Sequence, residues 1–310
     1  MADSMQVFDR GLVRARRDRA AALLPQNDFL FRETADRLTD RLLDVTRDFP
    51  MALDLGCHTG QIAEILKGSP KIGTLLQADV SPHMARQAAK TGRATFIADE
   101  EFLPVAESSL DLVLSNLSLH WVNDLPGALA QIRRSIKPDG LFLATLFGGE
   151  TLRELRSALL EAEAETTGGV APRVSPFTDV RDAGNLLTRA GFALPVVDAD
   201  IITVTYADMF KLFADLRAMG ETNTVIERRK VPTRRETFLR AADIYREKFS
   251  DTRGRLTATF QVLTLTAWVP HASQQKPLRP GSATARLADV LKTQEVGLGE
   301  ATPFPIKNKP

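Results

Sequence analysis

The sequence predicts an α/β protein: a doubly wound, mostly parallel sheet with N-terminal helices and a helical insertion before the last strand. Three observations carry this. Between Met51 and Leu146, short apolar runs of strand length alternate with segments of helical spacing. Such alternation builds a parallel sheet with helices on both faces. The first run, Met51-Ala52-Leu53-Asp54-Leu55, breaks at Gly56 and Gly60 and passes into a helical Gln61 to Lys67. Glycines there let the backbone turn sharply and approach a ligand with no Cβ in the way. The helix start beyond offers unpaired N–H groups and the positive end of a dipole, which suits a small anionic group. Lastly, 310 residues exceed the needs of one small core and fit one large domain with insertions, or two modest ones.

Composition works by exclusion. An apolar share of 44% and a charged share of 25% are ordinary for a globular chain. A net charge of +1 gives no bulk attraction to nucleic acid, so none is expected as a partner. Cys57 is the single cysteine, so no internal disulfide framework is expected. No apolar run approaches the roughly 18 residues of a transmembrane span, and the N-terminus lacks the apolar core of a signal sequence. Neither feature is expected.

Residues 1–49 form an N-terminal helical lid segment, with helix from Val7 to Phe49 in two pieces divided near Pro25-Gln26-Asn27-Asp28. The first piece carries Arg10, Arg14, Arg16, Arg17 and Arg19 around Phe8, Leu12 and Val13. A basic amphipathic helix can meet a membrane surface or an acidic partner; the plainer reading is a solvated basic face with its apolar side on the domain. Phe29 and Phe31 are read as lid or core aromatics in a loop-like stretch.

The central domain spans 50–270. Thr74 to Asp79 reads as the second strand, with Asp79 about 25 residues beyond Asp54, near the spacing at which an acidic group meets a ribose in nucleotide-binding folds. Ser81 is a plausible N-cap for the next helix, with Pro82 in its first turn. Ala94 to Ala98 is a third strand ending at Asp99, Leu110 to Ser115 a fourth, and Leu141 to Leu146 a fifth, entered through the turn Lys137-Pro138-Asp139-Gly140. A long helix runs from Gly149 through Glu165, and another from Asp179 to Ala190, closed by Gly191. Val196 to Tyr206 and Ala258 to Val269 read as strands around a helical insertion at about 207–255. Within it, Arg228-Arg229-Lys230 with Arg234-Arg235 makes a basic cluster, suited to an acidic carrier protein or, more plainly, a solvated loop. Residues 271–310 turn polar and proline-rich and are expected to form an extended tail, with a short helix at Ala283 to Lys292.

Taken in order, Asp54-x-Gly56-x-x-x-Gly60, Asp79, Ala98-Asp99-Glu100-Glu101-Phe102-Leu103-Pro104, Leu110-Asp111-Leu112-Val113 and Lys137-Pro138-Asp139-Gly140 resemble the class I S-adenosylmethionine-dependent methyltransferases, which are Rossmann-like. The resemblance covers about Ala52 to Phe147. It implies S-adenosyl-L-methionine as cofactor. Gly56 and Gly60 would cradle its methionine part, with Asp54 orienting the loop. Asp79 would hold the ribose hydroxyls. Asp99 would face the adenine amino group, with the Glu100 backbone beside it. Ser115 and Asn116 would line the floor near the sulfonium. One departure stands out: His58 occupies a place where that family often has glycine. Its side chain either reaches the cofactor's amino-acid end and narrows the site, or faces solvent. The sparse glycines disfavour a nicotinamide dinucleotide.

Val7-Phe8-Asp9-Arg10, Leu119-His120-Trp121-Val122, Gly148 to Leu155 and Lys276-Pro277-Leu278-Arg279-Pro280-Gly281 resemble a narrower group, the methyltransferase-like assembly factors of respiratory complex I in their bacterial form. Members are associated with hydroxylation of an arginine on a complex I subunit rather than with methyl transfer. A fainter resemblance is to the malonyl-carrier-protein O-methyltransferase of biotin synthesis. These resemblances imply an enzyme acting on a protein or small-molecule acceptor, with a complex I subunit or an acyl carrier protein as partner, in the cytoplasm or peripheral to the inner membrane. A non-enzymatic assembly module that holds the cofactor as a structural ligand is the competing reading.

Ser115 to Asp124 follows the fourth strand, where open α/β sheets place their ligands. His120 is a candidate general base, since an unperturbed imidazole titrates near neutrality; the alternative is a packing residue at a strand–helix corner. Trp121 is a candidate pocket wall or a core residue. His83 and His271 share no ligand spacing with His58 or His120, so no metal site is expected.

Overall fold

The computed structural model describes residues 6–275, 282, 285 and 287–293. They divide into two compact units, Met1–Ala272 and Ser273–Pro310. The first holds one seven-stranded sheet in the order β3-β2-β1-β4-β5-β7-β6. Strands β1 (Phe49–Leu55), β2 (Ile72–Asp79), β3 (Thr95–Ile97), β4 (Leu110–Asn116) and β5 (Ile136–Phe147) run parallel. β7 (Leu256–Trp268) is antiparallel to both β5 and β6 (Ala193–Tyr206). The expected architecture is therefore present, with a final antiparallel pair at one edge.

Strand β1 lies between β2 and β4, and Ala52, Leu53 and Leu55 are fully buried. A strand covered on both faces needs a continuous apolar run, which is why this stretch does not alternate. One side of the sheet packs Leu53, Leu55, Val113 and Leu129 together. The other packs Leu38, Ala52, Leu112 and Leu143, using helix α2 (Phe29–Asp40). Each fully buried aliphatic side chain contributes about 1.5–3 kcal/mol.

Helix α3 (Gln61–Ile65) follows β1, α4 (Pro82–Ala88) follows β2, and α5 (Leu125–Ser135) follows β4. Ser81 caps α4, its hydroxyl accepting from the Met84 N–H at 3.1 Å, as its position suggested. The Lys137-Pro138-Asp139-Gly140 turn becomes a bulge within β5. Ile136 pairs with Leu110 and Leu141 with Leu112, so the residues between are extruded, and Asp139 takes a left-handed φ of 63°.

Beyond the sheet lie α6 (Arg153–Thr167) and α7 (Val180–Arg189), then the insertion between β6 and β7, formed by α8 (Met209–Met219) and α9 (Arg235–Phe249). Leu155, Leu159, Leu212, Leu216, Ile244 and Phe260 share a third core with Leu30 and Phe31 of α2. Phe29, by contrast, is exposed, and both phenylalanines begin a helix rather than a loop. In the second unit the described helix is α10 (Leu287–Leu291), shorter than expected; the remainder of the expected tail lies outside the described residues.

Helix α1 (Arg10–Ala20) departs most from expectation. Asp9 caps it, accepting from the Leu12 N–H at 2.9 Å. Its buried residues are Val13, Arg17 and Ala20. Arg14 and Arg19 are exposed as a solvated face requires, but Arg17 is only 1% exposed. The basic helix turns one of its arginines into the protein.

Candidate functional site

Because β1 to β4 are parallel, their carboxyl ends open on one side, and the loops after them converge. The first loop is Gly56 to Gly60. The Gly56 and Cys57 N–H groups donate to the Ala78 carbonyl at 2.8 and 2.9 Å, stitching the turn onto β2. Gly56 has a φ of 73°, and a Cβ there would lie 2.0 Å from Ser118 Oγ. No other residue fits both constraints.

His58 also has positive φ, 49°, and is 1% exposed. It faces inward rather than to solvent. Nε2 lies 3.0 Å from the Asn116 carbonyl and 3.2 Å from that of Leu117, and the Phe31 ring meets the imidazole edge-on at 4.6 Å. Carbonyls only accept, so Nε2 carries the proton and Nδ1 is a bare acceptor. Burial, with Arg17 nearby, pushes this imidazole down to about 3, so it is neutral at physiological pH. His58 thus ties the glycine turn to the end of β4.

Four acidic groups gather on these ends. Asp54 is buried, and neither carboxyl oxygen has a hydrogen-bond partner. Burial, then Asp79, pushes it well above the ordinary carboxylate range. Asp79, fully buried, accepts from the Ser81 N–H at 2.8 Å, the His58 N–H at 3.1 Å and Arg17 Nη1 at 3.4 Å. Burial outweighs those partners and raises it to about 6. Glu100 is fully buried, its Oε1 accepting from Arg17 Nη1 at 3.1 Å and from the Ser118 hydroxyl, while Arg10 meets Oε2. Burial opposes its ionisation, but Arg17 and Arg10 hold it at about 2. Asp99 remains 28% exposed and pairs with Arg10. The sequence reading gave Glu100 a backbone role only; its side chain is the better buried of the two acids at this corner.

The residues placed at the floor divide. Asn116 is committed on both sides, donating to the Phe31 carbonyl at 2.9 Å and accepting from Thr145 Oγ1 at 2.7 Å. Ser115 Oγ is buried with no partner.

The chain then passes through a single turn, Leu119–Trp121, to a second cluster. His120 Nε2 lies 3.0 Å from Glu221 Oε2, and the Trp121 indole N–H donates to the same oxygen at 2.9 Å. Phe147 and Phe177 pack on the imidazole at 4.7 and 5.6 Å. Trp121 and Glu221 line a cavity of about 280 Å³ whose wall also includes Phe177, Arg16, Arg217 and Arg228. His120 stands behind that wall rather than on it. Glu221 was missed from sequence: it follows Gly220 at the end of α8, where a glutamate is unremarkable. Gly220 lets α1 cross there, with Ala20 Cβ 3.3 Å from where its own Cβ would stand.

Comparison with known proteins adds the family. Residues 53–144 match the methyltransferase domain family. The chain is 46% identical over 292 residues to the arginine-hydroxylase NDUFAF5, mitochondrial, of Danio rerio, covering 93% of this chain and 90% of that one. It is 34% identical over 270 residues to the malonyl-[acyl-carrier protein] O-methyltransferase of Xylella fastidiosa, covering 85% and 89%. The crystal structure of the YcgJ protein from Bacillus subtilis aligns at a TM-score of 0.53 with 13% identity, over 76% of this chain and 98% of that one, and so shares the fold. S-adenosylmethionine is the cofactor these relationships support, and no described helix is long and apolar enough to cross a membrane. With a Rossmann-like sheet, a glycine turn after β1 and near full-length similarity to NDUFAF5, the chain belongs to the class I S-adenosylmethionine-dependent methyltransferase family.

Proposed function

We propose that this enzyme binds S-adenosylmethionine across the carboxyl ends of β1, β2 and β3 and acts on an arginine side chain of a protein acceptor. The residues suit the cofactor chemically. Its ammonium group matches the two unbonded Asp54 oxygens, a buried acceptor pair that otherwise has no counter-charge. Its ribose hydroxyls and adenine amine are donors, matching Asp79, Asp99 and Glu100. Gly56 and Gly60 admit the methionine part, His58 braces that turn, and Ser115 and Asn116 lie along the floor. When bound, the cofactor supplies an electrophilic methyl group on a sulfonium.

The acceptor reading rests on Glu221. It is a buried carboxylate on a cavity wall, held on Oε2 by His120 and Trp121, with no hydrogen bond to Oε1 among the described residues. Both donors engage one oxygen and leave the other for a guanidinium, which would bond to it and stack on the adjoining aromatic rings of Trp121 and Phe177. His120 then acts as the positioning residue behind Glu221, and Trp121 as the wall. By resemblance to the arginine-hydroxylase relatives, the acceptor is a respiratory complex I subunit, met in the cytoplasm at the face of the inner membrane.

A second reading has its own observation. Arg16 and Arg217 line the same cavity with no ion pair among the described residues, while Arg173 and Arg229 pair with Glu163. Two uncompensated arginines favour a carboxylate acceptor such as the malonyl-carrier relatives use. Two variants separate the readings. Glu221→Gln should lower kcat/KM for an arginine acceptor by about 10- to 100-fold, the loss of a charge-assisted pair. A carboxylate acceptor would be unharmed by Glu221→Gln and weakened by Arg217→Met. Mass spectrometry of the acceptor after turnover identifies the group gained, a methyl or an oxygen; no gain on any candidate overturns the enzymatic reading.

A further inference from the structure

The acidic corner assigned to the cofactor is already engaged, and by the protein itself. Arg17 is 1% exposed and reaches Glu100 at 3.1 Å, Ser118 Oγ at 2.8 Å and Asp79 at 3.4 Å. Arg10, about two turns earlier on the same face of α1, joins Glu100 to Asp99 and donates to the Trp121 carbonyl at 3.2 Å. So every carboxylate proposed to take a donor from the ribose or the adenine takes one from α1. Ser118 Oγ, meanwhile, packs against the bare Cα of Gly56, in the space a close-approaching ligand would use.

A further contact latches the helix. Asp18 accepts from Ser81 Oγ at 2.5 Å and pairs with His83 Nδ1 at 3.1 Å. The Ser81 N–H in turn donates to Asp79. Docking of α1 therefore reaches Asp79 from two directions, through Arg17 directly and through Asp18 by way of Ser81. At its other end the chain is pinned separately: the Asp9 N–H donates to the Thr224 carbonyl at 2.9 Å, and Phe8 bridges to Val225. That anchor lies outside the acidic corner, so α1 can leave the corner while its N-terminal end stays attached.

We propose that α1 is an internal competitor for the cofactor site: Arg17 and Arg10 stand in for the cofactor's donors, and the cofactor binds only by displacing them. The proposal rests on placing the ribose and adenine at Asp79, Asp99 and Glu100. Two donor sets contend for the same carboxylates, the guanidiniums of α1 and the ribose hydroxyls and adenine amine of the cofactor, and both cannot occupy the same oxygens at once. The apparent affinity is then the intrinsic affinity reduced by the fraction of molecules with α1 withdrawn. Arg16 on the same helix lines the acceptor cavity and donates to the Asn223 carbonyl, so withdrawal of α1 also opens that cavity. Cofactor binding would thereby precede acceptor binding.

The test measures binding of S-adenosylhomocysteine by calorimetry to the full chain and three variants. Arg17→Met removes the competitor and should tighten binding by about tenfold or more. Asp18→Asn loosens the latch while leaving the corner untouched, and should tighten binding a few-fold even where Arg17→Met folds poorly. Asp79→Ala should weaken it. In parallel, hydrogen exchange across residues 10–20 should become faster at saturating S-adenosylhomocysteine. Weaker binding in Arg17→Met, or unchanged affinity in both α1 variants with α1 amides better protected in the complex, overturns the proposal and makes Arg17 a cofactor ligand or a structural residue. Unchanged affinity in Asp79→Ala would instead overturn the placement of the cofactor, and the competitor with it.

Discussion

Replacing Glu100 by glutamine probes the charge balance of the site most directly. Glutamine keeps the shape and removes the charge from a fully buried group bonded to Arg17, Arg10 and Ser118. Breaking a buried pair by deleting one partner costs about 3–5 kcal/mol. The titration behaviour gives a matching figure: displacement from the ordinary 4.5 to about 2 corresponds to about 3 kcal/mol. Because the folded-state pKa is depressed, this stabilisation is complete above 4.5 and is lost as pH falls through about 2. Asp79 has the opposite sign. Burial raises it from 3.8 to about 6, so its contribution is complete below 3.8 and is lost as pH rises through about 6. For these two groups together, stability should peak near pH 4, between 3.8 and 4.5, fall as pH rises from there to about 6, and fall on the acid side as well. Urea denaturation of wild type and Glu100→Gln at pH 3.5, 5 and 7.5 reads this out. The variant should be about 3 kcal/mol less stable at pH 5, roughly 6–12 °C in Tm for a domain of this size, with a flatter acid limb. It should also lose part of the alkaline limb, since Asp79 no longer faces a second carboxylate. A variant within about 0.5 kcal/mol of wild type at pH 5, with the same acid dependence, would refute the ion-pair account.

Three further outcomes are expected. Gly56→Ala should destabilise by about 2 kcal/mol or more, combining left-handed backbone strain with a clash against Ser118, and Ser118→Gly in the same chain should recover part of it; additive effects in chemical denaturation would sink the contact. His58 should remain neutral with its proton on Nε2 down to about pH 4, because burial holds it near 3, and ¹⁵N spectra of the imidazole should show no titration between pH 5 and 8. A midpoint near 6.5 would mean that the ring is solvated. Trp121→Phe removes one of the two donors on Glu221 Oε2, and should raise KM for an arginine acceptor more than it lowers kcat; an equal fall in kcat with KM unchanged would place Trp121 at the reacting atoms instead.

The sheet was legible because its signals are local and redundant. The Met51 to Leu55 run, apolar but for Asp54, fits a strand buried on both faces, and Asp79 stands at the end of a similar run at a chemically telling distance from Asp54. The antiparallel end of the sheet was visible only as strand-like segments, since pairing direction leaves no imprint on composition. Arg17 leaves only a faint trace in the sequence. Val13, Arg17 and Ala20 sit at i, i+4 and i+7, the spacing of a buried stripe, with an arginine in the middle of it. A charge on an apolar stripe implies a buried partner, and Glu100 was available. Glu221 left no trace, because its meaning comes from α8 delivering it beside residues about 100 positions earlier.

These features share one electrostatic logic. The fold buries Asp54, Asp79 and Glu100 at the ends of β1, β2 and β3, and leaves Asp54 without a hydrogen-bond partner among the described residues. Glu100 stays ionised there because α1 brings two guanidiniums to it. A cofactor bound at this corner is then not an addition to an open pocket but an exchange, its hydroxyl and amine donors for the guanidiniums of α1. Exchange makes affinity depend on how firmly α1 is latched rather than on contact area alone. It also means that a substitution on α1 far from the reacting atoms, at Asp18 for instance, should alter cofactor binding while sparing every group that touches the cofactor.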